Sequence, residues 1–579
     1  MSAWLDFMRL LGESARAPDG GVLLKFVPAI GESDFRSLRE AGMGYIDKSE
    51  FIAQVLADPS LVLLFPRPRR FGKTINISAL GYFLRKTDEN LSHLFEGLAV
   101  TRDPKAMAHF QKYPTLFVTF KDVKEKTFSE TLVEVGKQIE RLCREHRYVI
   151  DGKPLDSGRA LRLERLLSGR ASKSDLESSL LDLMEVLQEH HGERIVILID
   201  EYDTPIQSGY QNGFFDDIVL FFRNFLSAAL KDNSALFKGV LTGILRVSKE
   251  NMFSGLNNID VYSIMSPTYA TSFGFTEEEV ATIVDTEHLE EVRSWYNGYL
   301  FGGHVIYNPW SILNYVKKGI LGPYWVNTSA HDLIERLATR QGMGLSAMSA
   351  ALLHGETIEV TLDDSIVLRD IDQRPDALWN FLLFSGYLKL AKLVFNEGRY
   401  TGFLCIPNKE IQIVYENMFR NWLSKAVPNR GMLDELVQAL LNGNATKVQK
   451  FLERILLTAM SFQDAGGREP EKLYHGLVLG LLVHLESHYD VRSNRESGYG
   501  RADVLMRPKT PGRPGVVIEL KVRDEDETPE EVLADAAKQV RDRKYATELE
   551  NAGATPVHEY AIAFDGKKVW VKRVQELLG

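Results

Sequence analysis

The chain has 579 residues, 44% of them hydrophobic and 26% charged, with a formal net charge of −10, the balance of a soluble globular protein with roughly three or four domains. Its two cysteines, Cys143 and Cys405, stand far apart and outside any CxxC spacing, which excludes a disulfide framework and a cysteine zinc site and fits a reducing cytosol. MSAWLDFMRLLGESARAPDGG lacks the basic start and apolar core of a signal peptide, and no apolar run is long enough to span a bilayer, so a cytoplasmic protein without a membrane partner is expected.

After a first helix, SDFRSLREAGMGYIDKSEFIAQVL reads as a helix, a glycine turn and a second helix. SLVLLFPRPRRFGKTINISALGYFL then gives a strand, a polar turn and an amphipathic helix. Gly72, Lys73 and Thr74 fall at that turn. Backbone N–H groups and the helix N-terminus would cradle phosphates there, Lys73 would reach the β/γ oxygens and Thr74 would bind Mg²⁺. The first glycine of G-x4-GK[ST] is replaced by Arg67, which would either crowd the loop or itself grip phosphate. PTLFVTFKDV is another strand, and GERIVILIDEYDTPI a continuous apolar strand ending in Asp200 and Glu201. Asp200 would hold Mg²⁺ and Glu201 would polarise the attacking water; a strand merely capped by acids before a turn is the bland alternative. ALFKGVLTGI ends in Thr242-Gly243, at the place of a polar sensor, and Arg246 follows as a candidate sensor or arginine finger. Strands alternating with helices indicate a parallel three-layer α/β sheet.

The middle of the chain turns helical. FTEEEVATIV takes Ser272 or Thr276 as its N-cap with acids in the first turn, and WYNGYLFGGHVIYNPWSILNYV reads as the packed core of a helical lid. SIVLRD and GYLKLAKLVF are strand-like runs suggestive of a winged-helix module, and residues 431–469 a helical connector. His475, in YHGLVLGLLVHLESHY, reads as a packed or edge residue rather than a metal ligand.

Near the C-terminus, GRADVLMRP precedes a Pro/Gly loop and GVVIELKV. VVIEL is a buried strand by its β-branched composition, so Glu519 and Lys521, two apart, emerge on one face. Asp503 on the neighbouring strand adds a second carboxylate. Two carboxylates and a lysine can bind Mg²⁺ and activate a water for attack on a phosphodiester; an ion pair between strands is the structural alternative. Eight Lys or Arg stand against three acids from Arg492 to Arg523, a basic strip in an acidic chain suited to a phosphate backbone.

These strings resemble a known pairing. RPRRFGKTINIS, LIDEYDTPI, LTGILRVSKENMFSGLNNI and WYNGYLFGGHVIYNPWSIL are similar to a bacterial AAA-ATPase-like domain in which arginine commonly replaces the first glycine. SNRESGYGRADVLM, VVIELKV, AAKQVRDRKY and YAIAFDGKKVWV resemble the PD-(D/E)XK nuclease domain fused to its C-terminus, with Ala502-Asp503 in place of Pro-Asp. The resemblance implies Mg²⁺ (or Mn²⁺) held by Asp503, Glu519 and an upstream acid, Glu496 in preference to Glu486. It gives Lys521 the water or the developing charge, and Gln539, with Tyr545 nearby, an auxiliary polar role. The expected layout is a P-loop ATPase domain over 1–275, a helical lid and winged-helix region over 276–430, the connector, and a restriction-endonuclease-like α/β domain over 470–579. ATP would govern a homo-oligomer that cuts nucleic acid, DNA in preference to RNA, and the family's company suggests phage defence or handling of mobile DNA. A switch that binds nucleic acid without cutting, and a constitutive nuclease with a degenerate ATPase half, are the rivals.

Overall fold

The computed structural model describes residues 26–150, 157–244, 258–325, 352–353, 355–363, 368–372, 374–426, 431–459, 470–482, 488–497, 500–524 and 526–578. It divides into two compact units, Met1–Trp325 with Asp363–Gly386, and Val326–Leu362 with Tyr387–Gly579. No helix among the described residues is long and apolar enough to cross a membrane.

The first unit is built on five parallel strands, β1 (Val62–Pro66), β2 (Thr115–Thr119), β3 (Ile195–Asp200), β4 (Leu236–Gly243) and β5 (Ile259–Val261), in the order β2-β3-β4-β1-β5. β1 and β3 are buried along their whole length, as expected of a parallel sheet covered on both faces. Leu63, Phe65, Val196, Leu198 and Val240 share a core with the helices Phe35–Glu40, Glu50–Ala57 and Lys73–Leu84. The order places β4 between β1 and β3, so the C-terminal ends of these three strands lie side by side, where an open α/β sheet gathers its ligands. A small hairpin, β6 (Tyr299–Phe301) and β7 (His304–Ile306), follows. The helices Glu277–Ile283, Leu289–Tyr296 and Pro309–Lys318 close a satellite core around Val280, Val292, Tyr296 and Ile312. Thr276 is the cap of the first of these, in a reciprocal box with Glu279.

The second unit holds two sheets. β8 (Ile358–Leu362), β9 (Lys389–Asn396) and β10 (Arg399–Cys405) are antiparallel in the order β8-β10-β9. GYLKLAKLVF does supply β9, but of SIVLRD the described part belongs to the 3-10 turn Leu368–Asp372 in the first unit. Leu368 and Ile371 are both buried, and that spacing of three suits a helical turn where alternation would have made a strand.

The C-terminal sheet runs β11 (Tyr489–Ser497), β12 (Gly500–Pro508), β13 (Gly515–Val522), β14 (Val557–Asp565) and β15 (Lys568–Arg573) in sequence order. Only β13–β14 is parallel, its crossover being the helices Pro529–Arg543 and Ala546–Asn551. Alternation sorts the side chains between two cores. Val504, Ile518, Leu520 and Ile562 pack with the helices Gly431–Leu441, Ala445–Ala459 and Pro470–Leu482. Leu505, Val517, Ala561 and Ala563 pack with Val532, Leu533, Ala536 and Val540 of the crossover helix.

Candidate nucleotide and nuclease sites

The turn after β1 is shaped by two left-handed residues, Arg70 (φ 67°) and Gly72 (φ 80°), the second capping the helix Lys73–Leu84. Arg67, where a phosphate loop ordinarily has glycine, is not one of them. Its side chain is fully buried, and the guanidinium donates to the carbonyls of Pro66, Tyr262 and Tyr269, with Phe273 and Phe301 at 5.2 and 5.5 Å. Burial lowers its pKa to about 9. Lys73 Nζ donates to the carbonyls of Arg67 and Pro68, 3.0 Å each, and burial pulls its pKa down against the opposing pull of Glu201, Asp200 and Asp203.

Asp200, at the end of β3, is fully buried. It accepts from Thr74 Oγ1 at 2.9 Å and from Thr242 Oγ1 at 2.6 Å. Burial raises its pKa, and these two hydroxyls work in the other direction. Glu201 follows with φ 50°, an unusual backbone for a non-glycine residue at the mouth of the sheet. Its N–H points to Thr242 Oγ1 at 3.4 Å and its Oε2 accepts from Thr204 Oγ1 at 3.3 Å. Thr74, Asp200, Glu201, Thr242 and Lys73 thus converge at one end of the sheet. A hydroxyl and a carboxylate set side by side beneath a lysine are a suitable donor set for a nucleotide-bound Mg²⁺. Arg246 lies outside the described residues.

In the C-terminal sheet the β12–β13 ladder runs Met506 to Val516, Leu505 to Val517 and Val504 to Ile518. Asp503 and Glu519 come next beyond that ladder and, by alternation, fall on the face that carries Leu505 and Val517. Asp503 Oδ2 accepts the Leu520 N–H at 2.7 Å. Glu519 is only 2% exposed, and its Oε1 accepts from Gln539 Nε2. Gln539 Nε2 also lies 3.5 Å from the Tyr545 hydroxyl, whose pKa is raised by burial and by the Glu519 and Asp503 carboxylates. Lys521, on the same face as Glu519, is 3.6 Å from Asp535 Oδ2, an ion pair open to water and therefore readily exchanged. On β14, Ala561 and Ala563 stand in register with Glu519 and Lys521, both buried against the crossover helix. Two carboxylates on one face fit a hard cation that keeps part of its water shell. Glu496 lies on β11 in register with Arg501, its side chain outside the described residues, as is all of Glu486.

Residues 29–253 match the family described as predicted AAA-ATPase, and residues 469–574 match the PD-(D/E)XK nuclease superfamily. The chain joins an AAA-ATPase-like domain to a PD-(D/E)XK nuclease-superfamily domain. A relative from Azotobacter chroococcum mcd 1, named only as an uncharacterized protein in the vnfD 5′ region, is 25% identical over 571 residues, 95% of this chain and 99% of its own length.

Two polar residues at these sites went unread in the sequence. In the AAA-ATPase-like domain, Asp203 is buried at 1% exposure and its Oδ2 accepts from Gln207 Nε2 at 2.8 Å and from the Ile244 N–H at 2.9 Å, fixing the end of β4. In the nuclease-superfamily domain, Asp535 stands one helical turn before Gln539 and so shares its face. That spacing of four in the crossover helix was the signal that could have found it.

Proposed function

We propose that this chain is an ATP-regulated, Mg²⁺-dependent nuclease that hydrolyses phosphodiester bonds of DNA. The observation that carries the reading is the placement of Asp503 and Glu519 on one face of the adjoining strands β12 and β13, with Asp503 reaching the Leu520 N–H, Gln539 holding Glu519, and Lys521 on the same face. Asp503 and Glu519 would hold the ion. When bound, Mg²⁺ or Mn²⁺ supplies a Lewis acid and an acidified water at the scissile phosphate. Glu519 is kept in one orientation by its amide partner, so little reorganisation is asked of it. Lys521 exchanges Asp535 for a phosphate oxygen and meets the negative charge that builds there. The basic strip from Arg492 to Arg523 draws in the nucleic-acid backbone.

In the N-terminal half, Lys73 would give up its two carbonyls for the β and γ phosphates, Thr74 and Asp200 would hold the nucleotide's Mg²⁺, and Glu201 would orient water. ATP between subunits of a homo-oligomer brings two nuclease sites onto one duplex, in the cytoplasm. The test is cleavage of plasmid, linear duplex and single strands, DNA and RNA, with Mg²⁺ and with or without ATP. Cutting of DNA that needs Mg²⁺ and changes with ATP supports the proposal. Binding without cutting under every condition makes the chain a nucleotide-dependent switch or scaffold, and cutting indifferent to ATP makes it a constitutive nuclease.

A further inference from the structure

Asp503 stands where the β12–β13 ladder stops, and two other contacts replace the missing pairing. Its carboxylate reaches across to the Leu520 N–H, and its backbone carbonyl is met by Nε2 of His475 at 2.8 Å. A carbonyl only accepts, so Nε2 carries the proton. On the other side of the ring, Glu356 Oε1 lies 3.5 Å from Nδ1. His475 is 5% exposed, and its neighbours Tyr474, Leu477 and Val478 are built into the core that covers the Val504 and Ile518 face of the sheet. The helix therefore grips the Asp503 peptide from one face while the carboxylate works on the other.

We propose that His475 is a positioning residue for Asp503: it fixes the peptide that carries the metal-binding carboxylate where β13 no longer pairs with β12 and β11 alone continues alongside. The inference rests on the reading of Asp503 and Glu519 as the metal pair. A core histidine satisfies its ring nitrogens wherever acceptors lie. Here the acceptor is the carbonyl of the residue that comes next after the β12–β13 ladder ends, and it is the residue whose carboxylate reaches the Leu520 N–H. Groups that orient a metal ligand without touching the ion typically change metal affinity by about 10- to 100-fold.

The test uses the full chain and Mn²⁺ as probe, following the Glu519-dependent part of Mn²⁺ binding by calorimetry or by the signal of free Mn²⁺, together with plasmid cleavage. His475→Leu, folded by circular dichroism and still binding nucleotide, is expected to lose about 10-fold or more in Mn²⁺ affinity. His475→Gln, whose amide nitrogen can still donate to the carbonyl, is expected to stay within about 3-fold of wild type. Wild-type Mn²⁺ affinity in folded His475→Leu, or a loss in His475→Gln as large as in His475→Leu, overturns the proposal. If His475→Leu does not fold, His475→Met decides: an affinity equal to wild type in that folded variant overturns it. Mn²⁺ binding that Glu519→Ala leaves unchanged shows instead that the metal pair itself is misread, and the positioning role falls with it.

Discussion

Thr74 Oγ1, in the first turn of the helix after β1, donates to Asp200 Oδ2 at the end of β3 across 2.9 Å. A residue at each of two strand ends is thereby held in the relation that a nucleotide-bound cation would require of them. Lys73, beside Thr74, directs its charge to two backbone carbonyls, which a phosphate would replace in the proposed site. Lys73→Ala should therefore weaken ATP binding by about 10- to 100-fold, the worth of charge-assisted hydrogen bonds. Glu201→Gln should bind ATP normally and hydrolyse it about 100-fold more slowly or worse. Equilibrium binding and phosphate release measure the two effects, and wild-type turnover in Glu201→Gln would leave β3 a purely structural strand.

At the C-terminal site, Asp503→Ala, Glu519→Ala and Lys521→Ala should each abolish cleavage while leaving folding and ATP binding intact. Gln539→Leu should reduce cleavage by about 10- to 100-fold, because Gln539 acts by orienting Glu519. Cleavage by Glu519→Ala at the wild-type rate would remove the assignment.

Gly243 ends β4 against Asp203 and Tyr202. A Cβ at 243 would meet Asp203 Oδ1 at 2.6 Å and the Tyr202 ring at 2.8 Å, and Asp203 is tied down by Gln207 and Ile244. The Gly243 carbonyl also accepts the Arg67 N–H at 3.0 Å, so the strain passes to the phosphate loop. Gly243→Ala should cost about 1–3 kcal/mol in urea unfolding and weaken nucleotide binding as well.

His146 supplies a pH test of the first unit. Burial, with help from Arg85 and His191, lowers its pKa to about 4. As pH falls below the ordinary histidine value of about 6.5, the unfolded chain takes up the proton first. Stability should be complete above that value and decline down to about pH 4, by about 3 kcal/mol from this group. Denaturation of wild type and His146→Phe at pH 7.5 and pH 5 separates its share from that of the carboxylates. Equal declines in the two proteins would exclude it.

If nucleotide and cutting are coupled as proposed, Arg246 is the candidate residue for that coupling. Arg246→Ala should keep nucleotide affinity but lose hydrolysis and any effect of ATP on cleavage. Sizing with a slowly hydrolysed ATP analogue, alongside cleavage rates, checks this. Unchanged mass and unchanged cutting would leave two independent activities on one chain.

The local text of the chain sufficed for β1 to β4, β9, β12 and β13, and for placing Asp200, Asp503, Glu519 and Lys521 on them. A continuous apolar run ending in Asp200-Glu201, Gly72 ahead of Lys73 and Thr74, and Glu519 two residues before Lys521 are patterns whose meaning depends on neighbours in sequence. What depended on distant partners was not legible. Arg67 occupies the glycine position of the loop, and only tertiary packing sends its guanidinium to the carbonyls of Tyr262 and Tyr269 and away from either role read for it. Residues 431–459, read as a connector, form two helices that share a core with the C-terminal sheet, because their apolar faces find Val504, Ile518 and Phe564 there. His475 looked like any packed histidine until the fold set its Nε2 on the Asp503 carbonyl. Periodicity fixes which face a side chain takes, whereas the group it meets is chosen by the packing of segments far apart in the chain.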